Sequence, residues 1–138
     1  MPGNDLRGLY QRYLTLLNNR ELDELSTLFH DRLMLNGQPI TRDEVMEAMR
    51  YTATEAVPDL AWTVQHIVVD GDSLAARLID TGTPAKEWLG IRPTGGSFEI
   101  DETAFYRIRD GRVEDMWFVV DTRAAQRQLD AIPGERDE

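Results

Sequence analysis

The sequence has no cysteine and only two histidines among its 138 residues. The absence of cysteine excludes disulfide bonds, thiolate nucleophiles and cysteine-ligated metal sites. The two histidines, His30 and His66, are too few to build a metal site alone, although carboxylates could complete one. Each has an ordinary structural role open to it, His30 at a helix end and His66 on a strand near Arg77. We therefore expect no metal.

Long apolar runs are also missing. No stretch approaches the roughly 18–20 residues that a membrane-spanning helix needs. The N-terminal MPGNDLRGLY lacks the basic-then-apolar pattern of a signal peptide. These two absences lead us to expect a cytoplasmic protein that does not act on membranes.

Positive charge is scarce, and Lys86 is the one lysine in the chain. Fifteen basic residues stand against 25 acidic ones, which gives a formal net charge of −10. A surface of this sign repels phosphate backbones, so the composition argues against nucleic acid as a partner. The length fits one domain. We place that domain at 1–132 and a polar tail at 133–138.

Helical spacing dominates the first part of the chain. Apolar residues predict an amphipathic helix over about 5–18 and a second, short helix over about 21–29. An extended piece at Met34–Leu35 and the turn Asn36-Gly37 follow. Thr41 with Glu44 forms a capping-box pattern, which predicts a third helix to about residue 54.

From residue 61 onward the pattern changes to alternation. Two hairpins are predicted, one around Asp70-Gly71 and a longer one around Asp110-Gly111. A loop rich in glycine and proline at 84–96 separates them, and a short helix at 124–129 closes the chain. Helices followed by a meander of long antiparallel strands predict an α+β fold.

The register of the second hairpin predicts which side chains share a face. With Asp110-Gly111 at the turn centre, Ile108 lies opposite Val113, Arg107 opposite Glu114 and Glu102 opposite Val119. One face then carries Ile100, Glu102, Ala104, Tyr106, Asp115, Trp117, Val119 and Asp121. On that face Glu102 and Asp121 are diagonal neighbours and would form a two-carboxylate pocket.

Both faces of this hairpin are largely apolar, so both should be covered. The helices can cover one face, and a second subunit would cover the other. We therefore expect a homodimer or a higher homo-oligomer.

Asp121 is the first candidate for chemistry because it follows the apolar run Met116–Val120. Burial in such surroundings disfavours the charged carboxylate and suits an acid to proton transfer near neutral pH. The structural alternative is an N-cap, since Asp before Thr122 and Arg123 is a normal way to begin a helix. Glu102 is the second candidate, and a salt-bridged strand position is its structural alternative.

Five stretches of the chain form a recognisable set, namely VPDL (57–60), VVDGDSLAARLIDTGT (68–83), GIRPTG (90–95), FYRIRDGRVEDMWFVVD (105–121) and QRQL (126–129). Together they resemble the SnoaL-like polyketide cyclase and ester cyclase family of the nuclear transport factor two-like superfamily. With the leading helices, the similarity covers nearly the whole chain.

This resemblance implies an α+β barrel of the nuclear transport factor two-like type, in which a cone-shaped, curved antiparallel sheet packs against the N-terminal helices. It also implies intramolecular aldol ring closure of a polyketide ester by acid/base catalysis, with neither metal nor organic cofactor. Asp121 stands where the family carries its acid. Pro84 stands where many members have histidine after the Gly-Thr pair. Relatives of the same shape act in hydroxylation, epoxide hydrolysis or isomerisation, or bind ligands without catalysis, and these alternatives stay open.

The ligand expected from the resemblance is an aromatic or polyketide-like small molecule. Aromatic side chains would line its cavity and suit a flat substrate, although core or pocket wall is the more common role of such residues. The expected binding residues are Trp117, Tyr106, Tyr13, Trp88, Trp62 and His30. Of these, His30 would lie at the mouth of the pocket.

Overall fold

The computed structural model describes residues 5–131. The predicted tail at 133–138 lies outside the described residues. Four α-helices and six strands follow one another as α1 (Leu6–Asn18), α2 (Leu22–Ser26), β1 (Phe29–Leu35), β2 (Gln38–Thr41), α3 (Arg42–Arg50), β3 (Ala61–Asp70), β4 (Ser73–Gly82), β5 (Phe98–Arg109), β6 (Arg112–Val120) and α4 (Thr122–Asp130). A π-helical segment, Tyr51–Ala56, continues α3.

The α+β prediction is confirmed. All six strands form one curved sheet in the order β2-β1-β6-β5-β4-β3, so β2 and β3 are its edges and it does not close into a barrel. Strand pairs are antiparallel except β1 and β6, which run parallel. Helix α1 packs its buried side chains against the concave face of this sheet, where most of the core lies.

Local sequence signals fix the helix starts and the tight turns. The capping box is confirmed, because the Thr41 hydroxyl accepts from the Glu44 amide while the Glu44 carboxylate accepts from the Thr41 amide. Both hairpin predictions are confirmed. At Asp110 and Gly111 the φ angles are 55° and 74°, the pair of positive values that a type I′ turn requires.

Two predicted boundaries are wrong. The second helix ends at Ser26, and β1 begins at Phe29, which places His30 on a strand. The parallel pairing of β1 with β6 holds this strand in the sheet. Such long-range pairing leaves little local trace in the sequence, so only Met34–Leu35 was predicted as extended.

The predicted register of the second hairpin is also wrong beyond the pair Ile108 and Val113. Ile108 lies opposite Val113 as predicted, but Arg107 lies opposite Asp115 because Glu114 is an extra residue, a β-bulge, in β6. Every later residue of β6 therefore moves to the other face. Met116, Phe118 and Val120 share the concave face with Glu102 and Tyr106, whereas Trp117 and Val119 lie on the convex face.

The bulge also changes an ion pair. Glu114 pairs with Arg109 at 2.6 Å rather than with Arg107, as the predicted register required.

Candidate functional site

A cavity of about 160 Å³ lies between the concave face of the sheet and the helices. Helix α1 and α3 form one side, and β4, β5 and β6 form the other. Most of its wall is aliphatic or aromatic, and among the described residues Glu102 is the one charged side chain in the lining. The wall includes the aromatic and acidic side chains of Tyr10, Tyr13, Trp62, Trp88, Glu102 and Tyr106.

Glu102 reaches the cavity because of its position in β5. Burial alternates strictly along this strand, with the even-numbered residues turned inward. Glu102 falls in the inward series between Ile100 and Ala104, and it is only 9% exposed. An ionised carboxylate at such a position is costly unless a partner compensates it.

The neighbour of Glu102 is a second buried acid, Asp80, which is 0% exposed. Asp80 belongs to the adjacent strand β4, where it lies opposite Ile100 of β5. Leu78, two residues earlier in β4, lies opposite Glu102. The two acids are therefore diagonal neighbours on one face of the sheet. In the described part of the chain, no fixed donor hydrogen-bonds to either carboxyl oxygen of Asp80.

A proton on Glu102 resolves this arrangement. Two ionised carboxylates cannot hydrogen-bond to each other because both are acceptors only, whereas a protonated Glu102 can donate a hydrogen bond to Asp80. Burial raises the pKa of Glu102 far above its ordinary range, and the hydrogen bond and charge of Asp80 raise it further. Burial also raises the pKa of Asp80, while the hydrogen bond with Glu102 acts in the opposite direction. The pair thus holds a proton at neutral pH.

Three tyrosines pack together beside this carboxyl pair. The ring centroids of Tyr10 and Tyr13 are 5.6 Å apart, and that of Tyr106 lies 5.1 Å from Tyr10 and 5.6 Å from Tyr13. The Tyr13 hydroxyl makes a weak contact with the Met116 sulfur at 3.9 Å. Burial raises the pKa of all three phenols, so they remain neutral hydrogen-bond donors.

Two tryptophans complete the aromatic wall. Trp62 is fixed by Asn18, whose side-chain amide exchanges two 2.9 Å hydrogen bonds with the Trp62 backbone. Trp88 stacks on Phe98 with centroids 5.8 Å apart and an interplanar angle of 14°. A tight turn through Leu89 and its glycine neighbour returns the chain from Trp88 to Ile91, which hydrogen-bonds back to it at 2.8 Å.

The structure brings together five of the predicted site residues and separates three others from them. Glu102, Tyr106, Tyr13, Trp88 and Trp62 line the cavity.

Asp121, Trp117 and His30 lie elsewhere. Asp121 is exposed and is the N-cap of α4, where its carboxylate accepts from the Ala124 amide at 3.0 Å. Trp117 is 47% exposed on the convex face because of the Glu114 bulge. His30 hydrogen-bonds through Nε2 to the Arg109 carbonyl at 2.8 Å.

The residue that the sequence reasoning missed is Asp80. A signal for it exists in β4, where Leu74, Ala76 and Leu78 mark the inward series and Asp80 is its next member. A charged residue in the apolar series of a strand needs a partner or a proton. The signal identifies Glu102 as the neighbour of Asp80 only when the pairing of β4 with β5 is known.

Between residues 5 and 131, no group of three or more His, Asp and Glu side chains could hold a metal ion. No helix there is long and apolar enough to cross a membrane.

A curved open sheet with a helix-covered apolar cavity and a buried carboxyl pair defines a small α+β pocket protein. The family model for the SnoaL-like polyketide cyclases matches residues 7–129, and the chain belongs to this family. Its fold is of the nuclear transport factor two-like type. A search of curated proteins gave no significant match.

Solved structures of similar shape agree with the family assignment. A SnoaL-like polyketide cyclase from Agrobacterium tumefaciens is 30% identical with a TM-score of 0.83, over 90% of this chain and 97% of that one. IdmH from Streptomyces antibioticus, provisionally described as a polyketide cyclase, is 27% identical with a TM-score of 0.79, over 91% and 98%. TsrD from Streptomyces laurentii is 25% identical with a TM-score of 0.80, over 92% and 96%.

Proposed function

We propose that this protein is a cofactor-independent acid/base enzyme that closes a ring in a polyketide-type small molecule by intramolecular aldol addition. The observation that carries the proposal is a buried carboxyl, Glu102, in the wall of an apolar cavity with a second buried acid, Asp80, directly behind it. Acids whose pKa values are shifted by burial and by a like-charged neighbour are typical of proton-transfer sites.

The pair carries one proton and one negative charge, and Glu102 is its member at the cavity. At rest the proton of the pair is on Glu102, and its transfer to Asp80 leaves Glu102 as the carboxylate that removes a proton from a substrate carbon flanked by carbonyls. The electron pair of the broken C–H bond becomes an enolate and then forms the new C–C bond to a second carbonyl carbon. Glu102 gives the proton it took to the resulting alkoxide, and Asp80 returns the shared proton to Glu102. Substrate and product are therefore isomers, and the pair is restored.

The tyrosines supply the electrostatic part of this proposal. Enolate formation places negative charge on a carbonyl oxygen, and hydrogen-bond donors aimed at that oxygen lower the barrier. Tyr13 and Tyr106 line the cavity and stay neutral because their buried phenols have raised pKa values. They are the donors we assign to this role.

Proton removal can be measured without knowing the natural substrate. The probe is ethyl 2-oxocyclohexanecarboxylate, an uncharged one-ring β-keto ester, and NMR follows deuterium exchange at the carbon between its carbonyls. We expect the protein to accelerate exchange above the buffer rate and Glu102→Gln to abolish the acceleration, because an amide cannot accept the proton.

Asp121→Asn is the matched control in this exchange experiment. Asparagine is as good an N-cap as aspartate, so the fold should persist and exchange should continue. Loss of exchange in Asp121→Asn but not in Glu102→Gln would return the catalytic role to Asp121. No acceleration by the unmodified protein would remove the proposal.

A second candidate is a small-molecule-binding module without catalysis. The observation that favours it is the scarcity of polar groups in the cavity wall, where Glu102 is the one charged side chain among the described residues. This candidate predicts ligand binding with no exchange above the buffer rate, so the same experiment separates the two.

We also propose that the protein is a homodimer in the cytoplasm. Phe105, Trp117 and Val119 expose 40%, 47% and 69% of their surface on the convex face of the sheet. Together with Val68 they line a shallow groove of about 450 Å³ on that face. Apolar patches of this kind mark interaction sites on soluble proteins, and a second copy of this face is the occupant we assign.

A further inference from the structure

We infer that the cavity admits only uncharged ligand groups of about one ring, presented with a carbonyl or hydroxyl oxygen toward Glu102. The placing of the ligand oxygen toward Glu102 rests on the proposed function. The selectivity itself concerns ligand binding and does not require catalysis. Carboxylate-bearing and phosphate-bearing groups would be excluded from the interior. Three observations support this selectivity, namely the charge, the occupied cations and the volume of the site.

The charge of the lining opposes anions. Among residues 5–131, no lysine, arginine or histidine contributes to the cavity wall. The buried pair Glu102 and Asp80 supplies negative charge or, when protonated, a neutral donor. An anionic ligand would lose its hydration without gaining a cation, and that cost is large in an apolar site.

Two cations beside the cavity lining, Arg20 and Lys86, are already engaged. The Arg20 guanidinium lies 5.6 Å from the centroid of the Trp62 ring. It donates to the backbone carbonyls of Asn18, Ala53 and Pro58 at 2.8–3.1 Å. Lys86, in the loop before Trp88, pairs with Glu55 at 2.9 Å. A carboxylate at the entrance would have to displace these existing partners.

The volume limits the part of the ligand that can be buried. A cavity of about 160 Å³ is close to the apolar cavity of about 150 Å³ that holds a single benzene ring in an engineered protein. Larger polycyclic ligands would have to leave their remaining rings outside, past Trp88 and Leu89. Only the ring that enters the cavity loses its water, so the cavity distinguishes an ester or ketone from a free acid at the groups carried by that ring.

Methyl benzoate and sodium benzoate test this inference as a matched pair. They share one ring and differ in charge, and their binding at pH 7 is measured from the NMR shifts of the Trp62 and Trp88 indole N–H groups. We expect methyl benzoate to bind at least about tenfold more tightly than benzoate. Equal or tighter binding of benzoate, or no saturable binding of methyl benzoate, would overturn the inference.

Two variants locate the binding. Ala48→Trp places a bulky ring on an exposed position of α3 that lines the cavity, and it should abolish methyl benzoate binding. Ala85→Trp makes the same change at an exposed loop position outside the lining and should leave binding intact. Methyl benzoate binding that persists in Ala48→Trp would place the ligand elsewhere and overturn the inference.

This test and the exchange experiment fail independently. Selective binding of the ester without proton exchange would sustain the inference and remove the proposed catalysis. Exchange of the β-keto ester together with equal affinity for benzoate would sustain catalysis and remove the inferred selectivity.

Discussion

At the scale of single residues, Glu102 and Asp80 are set apart from the other acids of the described sheet by burial. Asp101 adjoins Glu102 in sequence but points outward, where it pairs with Arg77 at 3.1 Å in solvent. Surface pairs of that kind contribute little to stability. Between residues 5 and 131 no cation pairs with Glu102 or Asp80, so a retained proton is what makes their burial tolerable.

The retained proton gives stability a definite dependence on pH. Because the folded pKa of Glu102 lies above its unfolded value, its contribution is fully present below about pH 4 and is lost as pH rises toward the folded pKa. Glu102→Gln cannot lose a proton and also offers Asp80 an amide donor. Between pH 5 and 7 we expect the unmodified protein to lose up to about 2.7 kcal/mol relative to this variant.

Urea unfolding at a series of pH values measures this difference. Glu47→Gln, on the exposed face of α3, is the control and should follow the pH dependence of the unmodified protein. Parallel curves for the unmodified protein and Glu102→Gln would contradict a retained proton.

At the scale of elements, the sequence predicts what is encoded locally. The capping box at Thr41 and the turn at Asp110-Gly111 depend on a few adjacent residues, and both are present as predicted. The Glu114 bulge and the parallel strand β1 depend on distant partners, and neither was predicted. The bulge had the larger effect, since it moved Trp117 to the convex face and put Phe118 on the cavity side.

The difference between local and long-range signals also explains which parts of the candidate site could be predicted. Glu102 and Tyr106 were predicted to share a face because both belong to β5, and period 2 within one strand does not depend on pairing. Asp80 belongs to β4 and comes beside Glu102 only through the β4–β5 register. The predicted diagonal of Glu102 with Asp121 required β6 without a bulge. Strand-internal relations were therefore predictable, whereas the cross-strand relations at the site, which depend on the β4–β5 register and on the bulge in β6, were not.

At the scale of the whole molecule, the sheet has unequal faces. The helices cover the concave face, whereas the convex face exposes Phe105, Trp117 and Val119 in the part of the chain that the structure describes. With a formal net charge of −10, general repulsion between copies has to be outweighed by this apolar patch if a dimer forms.

Trp117→Glu tests the proposed dimer. A charge at the centre of the patch should separate the subunits while the cavity on the other face is retained, so light scattering at micromolar concentration should change from dimer to monomer. Gln38→Glu adds the same charge at an exposed position on the edge strand β2 and should leave the dimer intact. A monomeric unmodified protein would rule out the proposed assembly.

The buried, protonated carboxyl pair is the central claim, and carboxyl ¹³C chemical shifts measure it most directly. Protein labelled at Glu and Asp side-chain carboxyls would be titrated from acid through neutral pH, with Glu102→Gln used to assign the signal. We predict that the Glu102 signal keeps its protonated shift at pH 7, because burial and Asp80 raise its pKa. A Glu102 signal that titrates fully near pH 4, as a solvated glutamate does, would contradict the account.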